Sequence, residues 1–208
     1  VSDGAGQDPQ RFFRERIPAQ FNRALEAQAA LGEPGRRVYD GMRAVSATIR
    51  IDVEGAGGGT FFLNIRDGRM QSEANAAQPP FLTLLQDRRA FEHIAREAGD
   101  SAMALLGGLS GLAGEMKLTR ARVDALSELE GTVLFEVTGE GGFALRTHFG
   151  AGPLGAAPVT TIRVDADAYR ELRAGTLDPQ GAFMSQRIVV EGDMRVAMQL
   201  ALAAIAPD

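Results

Sequence analysis

The chain has no cysteine among its 208 residues and only two histidines, His93 and His148. The first absence removes disulfides, thiol nucleophiles and sulfur metal ligands. Two isolated imidazoles, without His-x-x-x-His or His-Glu-x-x-His spacing, make a poor metal site. Positive charge is also scarce. The 22 Lys and Arg against 27 Asp and Glu leave a net charge of −5, which argues against nucleic acid or an anionic membrane surface as an electrostatic partner. Long apolar runs are missing too. The longest stretches without formal charge, 101–114 and 147–162, are broken by glycine and too short to span a bilayer. Val1-Ser2-Asp3-Gly4 has neither the basic nor the apolar region of a signal peptide, so the expected location is cytoplasmic.

What is present is apolar pattern. With 45% hydrophobic and 24% charged residues, the chain reads as globular, long enough to bury about 70% of its extended surface. Ala47, Ile49, Ile51 and Val53 alternate with Thr48, Arg50, Asp52 and Glu54, the period of a strand with one wet face. Gly55-Ala56-Gly57-Gly58-Gly59 leads into a second strand carrying Phe61, Leu63 and Ile65, and Asp67-Gly68 is a hairpin signal. A strand around Phe81–Leu85 ends at Asp87, the cap of a helix holding Phe91 and Ile94. Ahead of these lies a helical segment with Phe13, Ile17, Phe21, Ala24 and Leu25 on one face. Pro18 should kink or restart it, and Gly32-Glu33-Pro34-Gly35 reads as the loop that ends it.

The same order recurs. Val133, Phe135 and Val137 align with Ile49, Ile51 and Val53 at an offset of 84 (133 − 49). Asp165 aligns with Asp87, Asp178 with Asp100, Ala182-Phe183-Met184 with Ala104-Leu105-Leu106, and Gly192-Asp193-Met194 with Gly114-Glu115-Met116 at an offset of 78 (192 − 114). A duplication is expected, divided as 1–42 (an N-terminal helical segment), 43–130 (a first, divergent repeat) and 131–208 (a second repeat). A helix over 115–129 should close the first copy. The fold class is α/β of the α+β type, with mainly antiparallel sheets faced by helices in two similar halves.

Candidate chemistry is thin. Gly55–Gly59 is followed by strand residues rather than the helix a phosphate cradle requires, so it reads as a turn. His93 reads as exposed on its helix. His148 lies at a strand end with no nucleophile motif. Asp193 beside Glu191 reads as a helix cap rather than half of an acid–base pair. The clusters Arg11, Arg14, Arg16 and Arg120, Arg122 read as solvated faces. No catalytic residue, metal or organic cofactor is expected, and the chain reads as a non-enzyme.

The C-terminal stretch is the most distinctive. Asp178-Pro179 caps and starts a short helix ending in Ala182, Phe183 and Met184; Ile188-Val189-Val190 is a β-branched strand; Gly192-Asp193 turns the chain into a last helix. In that helix Met194, Ala197, Met198, Ala201, Leu202 and Ile205 share one face, expected to be buried. Asp-Pro, Ala-Phe-Met, a short strand, Gly-Asp-Met and Ala-Met-x-Leu in this order resemble the C-terminal signature of the sterol carrier protein type 2 family. Two positions depart from it: Gln186 stands where glycine is usual and Val189 where lysine is usual. The resemblance implies an apolar tunnel for fatty acyl chains, sterols or similar ligands, with a lipid-using enzyme as a further partner. Met, which adapts its shape, suits such a pocket. The expected lining is Phe135, Phe143, Phe183, Met184, Met194, Met198 and Leu202, between the second sheet and 178–202. The other reading is a structural or partner-binding module whose tunnel the duplicated half fills or covers. Ile188-Val189-Val190, apolar on both faces, fits a strand covered on each side.

Overall fold

Alternation of β-branched and polar residues builds the sheet. In a computed structural model that describes residues 8–97, 117–150, 152, 154 and 157–205, the strands are β1 (Ala47–Glu54), β2 (Gly59–Arg66), β3 (Arg69–Glu73), β4 (Leu82–Asp87), β5 (Gly131–Thr138), β6 (Phe143–Phe149), β7 (Thr160–Asp165) and β8 (Ile188–Gly192). They form one eight-stranded sheet in the order β3-β2-β1-β4-β6-β5-β7-β8. Only β1–β4 and β5–β7 pair in parallel. The α+β class holds, but the expected separate sheets are joined along β4 and β6, where Leu82 faces Phe149 and Leu85 faces Arg146 in antiparallel register. Joining leaves each run with one fewer bare edge.

The two runs β1-β2-β4 and β5-β6-β7 share a pairing pattern. Ile49 meets Leu63 and Leu82, and Val133, 84 positions on (133 − 49), meets Thr147 and Thr160. Gly58 N–H donates to Gly55 O and Gly142 N–H to Gly139 O, each at 3.1 Å. Asp87 caps its helix through Ala90 N–H at 2.7 Å, and Asp165 does so through Ala168 N–H at 2.8 Å. Asp100, Ala104-Leu105-Leu106 and Gly114-Glu115-Met116 lie outside the described residues.

The described helices are α1 (Pro9–Arg11), a π-helical turn (Phe12–Arg16), α2 (Ile17–Ala30), α3 (Glu33–Arg43), α4 (Arg88–Glu97), α5 (Arg120–Ser127), α6 (Ala166–Ala174), α7 (Pro179–Met184) and α8 (Met194–Ile205). The π turn sits where Pro18 acts. Pro18 has no N–H for the carbonyl four residues earlier, and the ladder shifts so that Ile17 N–H reaches Phe12 O. Phe13, Ile17, Phe21 and Leu25 are buried along one face as the spacing predicts. Gly32-Glu33-Pro34-Gly35, expected as a loop, instead starts α3: Gly32, at φ 66°, breaks the chain, and Pro34 falls in the first turn, where its missing N–H costs nothing. Phe12 and Phe13 pack against Phe91 of α4, and Phe13 also against Phe61 of β2. Ile49, Ile51, Val133 and Val137 point to this core, while Arg50–Asp52 and Arg163–Glu136 pair on the opposite, wetter face.

Candidate ligand-binding site

The C-terminal segment is pinned at three points before it offers any surface. Asp178 Oδ1 accepts Gly181 N–H at 2.7 Å, and Pro179 opens α7. The helix ends in a Schellman arrangement: Arg187 N–H donates to Ala182 O at 2.8 Å and Gln186 N–H to Phe183 O at 3.0 Å. Gln186 therefore sits at φ 60°, the left-handed position that favours glycine. The departure from the family pattern noted above thus carries strain. Gln186→Gly is expected to stabilise the protein by about 1 kcal/mol, read as a rise in urea midpoint at unchanged slope. Arg187 then ties α7 to α6 through Glu171 at 2.6 and 3.2 Å. Its guanidinium holds the Glu171 carboxyl below the usual carboxylate range.

Asp193 is the cap the sequence predicts: its Oδ1 accepts Arg195 N–H at 2.9 Å and Val196 N–H at 3.4 Å. Glu191 pairs with Arg163 at 2.8 Å rather than with a second acid. The far end of α8 is held by Arg122, whose Nε donates to Ala203 O at 3.1 Å and whose Nη1 reaches Lys117 O. Arg122, expected on a solvated face, is buried. A cation at a helix C-terminus satisfies carbonyls that the helix itself leaves open, a role that charge spacing in the sequence could not reveal.

So anchored, α8 turns inward a face that shares only Ala197 with the one expected among the residues whose burial is described. Val196, Ala197, Leu200 and Ala203 are buried, while Met194, Met198 and Leu202 lie outside with Phe183 and Met184 of α7, at 44 to 76% exposure. The buried stripe is the side that meets α5, β7 and β8. Phe135 and Phe143 go elsewhere. They are buried against Tyr169 of α6, with centroids at 6.1 and 5.6 Å, and His93 of α4 stacks on Phe143 at 4.2 Å. Thus the seven candidates divide into two buried and five exposed, and the five flank β8 from the helices before and after it. His93 is packed against rings rather than exposed on its helix. Val189 lies opposite Arg163 on the wetter face and is 40% exposed, so β8 is not covered on both sides by described residues.

His148 is structural in its contacts. It is buried, Thr132 Oγ1 lies 3.0 Å from Nδ1, and Gly152 O lies 3.0 Å from Nε2. Thr48 donates to Asn64 at the matching pair, 2.7 Å, and Asn64 Oδ1 also accepts Ala77 N–H at 3.0 Å. Each polar side chain thus ties a strand to the loop after β3 or β6. Among the described residues no group of three His, Cys, Asp or Glu is placed to hold a metal, and no helix is long and apolar enough to cross a membrane.

Residues 116–204 match the model of the SCP-2 sterol transfer family. No curated protein matches the chain. Among solved structures, sterol carrier protein 2 like 2 from Aedes aegypti is 18% identical over 36% of this chain and 73% of its own, with a TM-score of 0.29. Apo sterol carrier protein 2 from Yarrowia lipolytica is 12% identical over 51% of this chain and 94% of its own, with a TM-score of 0.32. The family match coincides with the run from Asp178 to Met198 that resembles the family's signature. Over residues 116–204, less than half of the chain, this protein is similar to the SCP-2 sterol transfer family.

Proposed function

We propose that this chain binds or transfers lipids, fatty acyl chains or sterols among them, without catalysing a reaction on them. One observation carries the reading: Phe183, Met184, Met194, Met198 and Leu202 stand exposed on α7 and α8, the last two helices of the family-matched segment. Large apolar side chains gain when covered. Burying the exposed half of each contributes about 1 kcal/mol, or roughly 5 kcal/mol for the five together, before the ordering costs of binding. Such a site needs no cofactor, and a lipid-using enzyme would be its natural recipient. We read the repeated pairing register as an internal duplication, with sterol-carrier-like units at 43–130 and 131–208 behind a helical segment at 1–42.

A second reading rests on a different contact. His93, from the first unit, stacks on Phe143 in the second, as it would in a structural module whose interior the duplicated half fills.

Met198→Glu separates the readings. Met198 is 60% exposed, so the variant should fold, while a carboxylate facing an acyl chain loses its hydration unpaired. The expected result in a fluorescent fatty acid titration is at least a ~10-fold weaker affinity. Leu31→Glu, an exposed apolar position remote in sequence, should leave binding unchanged. Equal binding by wild type and Met198→Glu would remove this site; no binding by wild type would favour the filled interior.

A further inference from the structure

A second site lies in the N-terminal part of the chain, outside the family-matched segment and independent of the lipid reading. An open cleft of about 500 Å³ runs between α2, α3 and the β2–β3 hairpin, within the usual range for small-molecule sites. Leu25 and Ala29 of α2 and Tyr39 of α3 form an apolar wall, and Arg43, Arg66 and Arg69 surround it.

The walls are fixed to each other. Asn22 of α2 exchanges two 3.0 Å hydrogen bonds with the backbone of Met70 in β3. Gly68 N–H donates to Val45 O at 3.0 Å, seating the hairpin turn at the end of α3. The cleft is therefore formed before anything enters it, and binding there avoids the cost of ordering the walls.

The three guanidinium groups are not equivalent. Arg66 is forked onto Glu73 at 2.6 and 2.8 Å. Hydrogen bonds from Arg66 and Asn64 hold the Glu73 carboxyl at about 2, so this pair persists at neutral pH. Arg69 is taken by Glu26 at 3.0 Å. Arg43 meets no carboxylate among the described residues, and its guanidinium stands 6.0 Å from the centroid of the Tyr39 ring. A planar fork over an aromatic face, beside an aliphatic wall, matches a flat body bearing an anionic group.

Charge narrows the class. Glu73 and Glu26 offset Arg66 and Arg69, so Arg43 is the lining cation left to meet a ligand, and Asp67 opposes a second negative charge on it. We propose that this cleft binds a small monocarboxylate with a planar apolar body, its carboxylate on Arg43 and its body against Tyr39, Leu25 and Ala29.

Benzoate is the probe. Titrated at pH 7 into the full chain labelled with ¹⁵N, it should give saturable shifts at the backbone amides of Arg43, Gly68 and Arg69. Arg43→Gln should weaken binding at least ~10-fold, and Arg43→Lys, which keeps charge but not the fork, should fall between. Arg43 is exposed, so both variants should keep the wild-type spectrum elsewhere. Benzamide should bind at least ~10-fold more weakly than benzoate, and phenyl phosphate, largely a dianion, should not exceed it. The proposal is overturned by no saturable shift up to about 50 mM benzoate, by equal binding of benzamide or of Arg43→Gln, or by phenyl phosphate binding more tightly. Fatty acid binding and its loss in Met198→Glu stay independent of every one of these outcomes.

Discussion

Residues 117–208, produced without the preceding chain, are expected to show no cooperative unfolding transition, although they contain almost the whole family-matched segment. The reason is the seam. β6 is paired on both sides, to β5 and to β4, and the cut removes β4 from the pairs running from Leu82–Phe149 to Leu85–Arg146. It also removes α4, which carries His93 on Phe143 and contacts β6. Phe143, Leu145 and Phe149 are all buried. Partial exposure of three such side chains costs about 1 kcal/mol each, a large share of the roughly 5–15 kcal/mol by which an ordinary domain is stable. An exposed strand edge follows as well. Urea titration by circular dichroism tests this directly, and mixing with residues 1–116 should restore a transition. A cooperative transition in the isolated segment would show the seam to be dispensable and the second unit to be autonomous.

The seam also shows where sequence ceased to be informative. Strand alternation from Ala47 to Val53 and from Val133 to Val137, the Asp67-Gly68 turn and the Asp165, Asp178 and Asp193 caps are local properties, and they formed where the residues predict. Pairing of β4 with β6 is not local, and nothing in either strand names its partner. β3 was silent for another reason: Arg69–Glu73 is a polar edge strand with Met70 its one buried apolar side chain, so it has no hydrophobic period to read. The helix α3 was hidden by Gly32, Pro34 and Gly35, which are breakers inside a helix but ordinary at its start. In α8 the difficulty is excess of signal. Met194, Met198 and Leu202 are as apolar as Val196, Leu200 and Ala203, and a helix apolar nearly all round does not say which side faces inward. Only the anchors decide it. Asp193 fixes the start of α8 and Arg122 fixes its end, and the intervening residues follow.

The other large effect belongs to the glycine of the signature. Gly192→Ala should destabilise the protein by about 3 kcal/mol or more, lowering Tm by about 6–12 °C for a chain of this size. Gly192 sits at φ 94°, where an L side chain is strained. A Cβ there would also come within 2.3 Å of the Val159 carbonyl oxygen. That same oxygen accepts Asp193 N–H at 2.9 Å, while Thr160 Oγ1 donates to Asp193 O at 2.8 Å. Relief of the clash therefore pulls β8 from β7 at the Thr160–Gly192 pair and displaces the cap of α8, the helix that carries Met194, Met198 and Leu202. Gly175→Ala supplies the control. Gly175 has φ 70°, yet a Cβ there would meet nothing within 4 Å, so its cost is the backbone strain alone, about 1 kcal/mol. Thermal unfolding of the two variants side by side separates conformation from contact. If Gly192→Ala costs no more than Gly175→Ala, close approach to Val159 is not what demands glycine. If it costs about 2 kcal/mol more, the Gly-Asp of the family signature is a device for setting α8 against the last two strands.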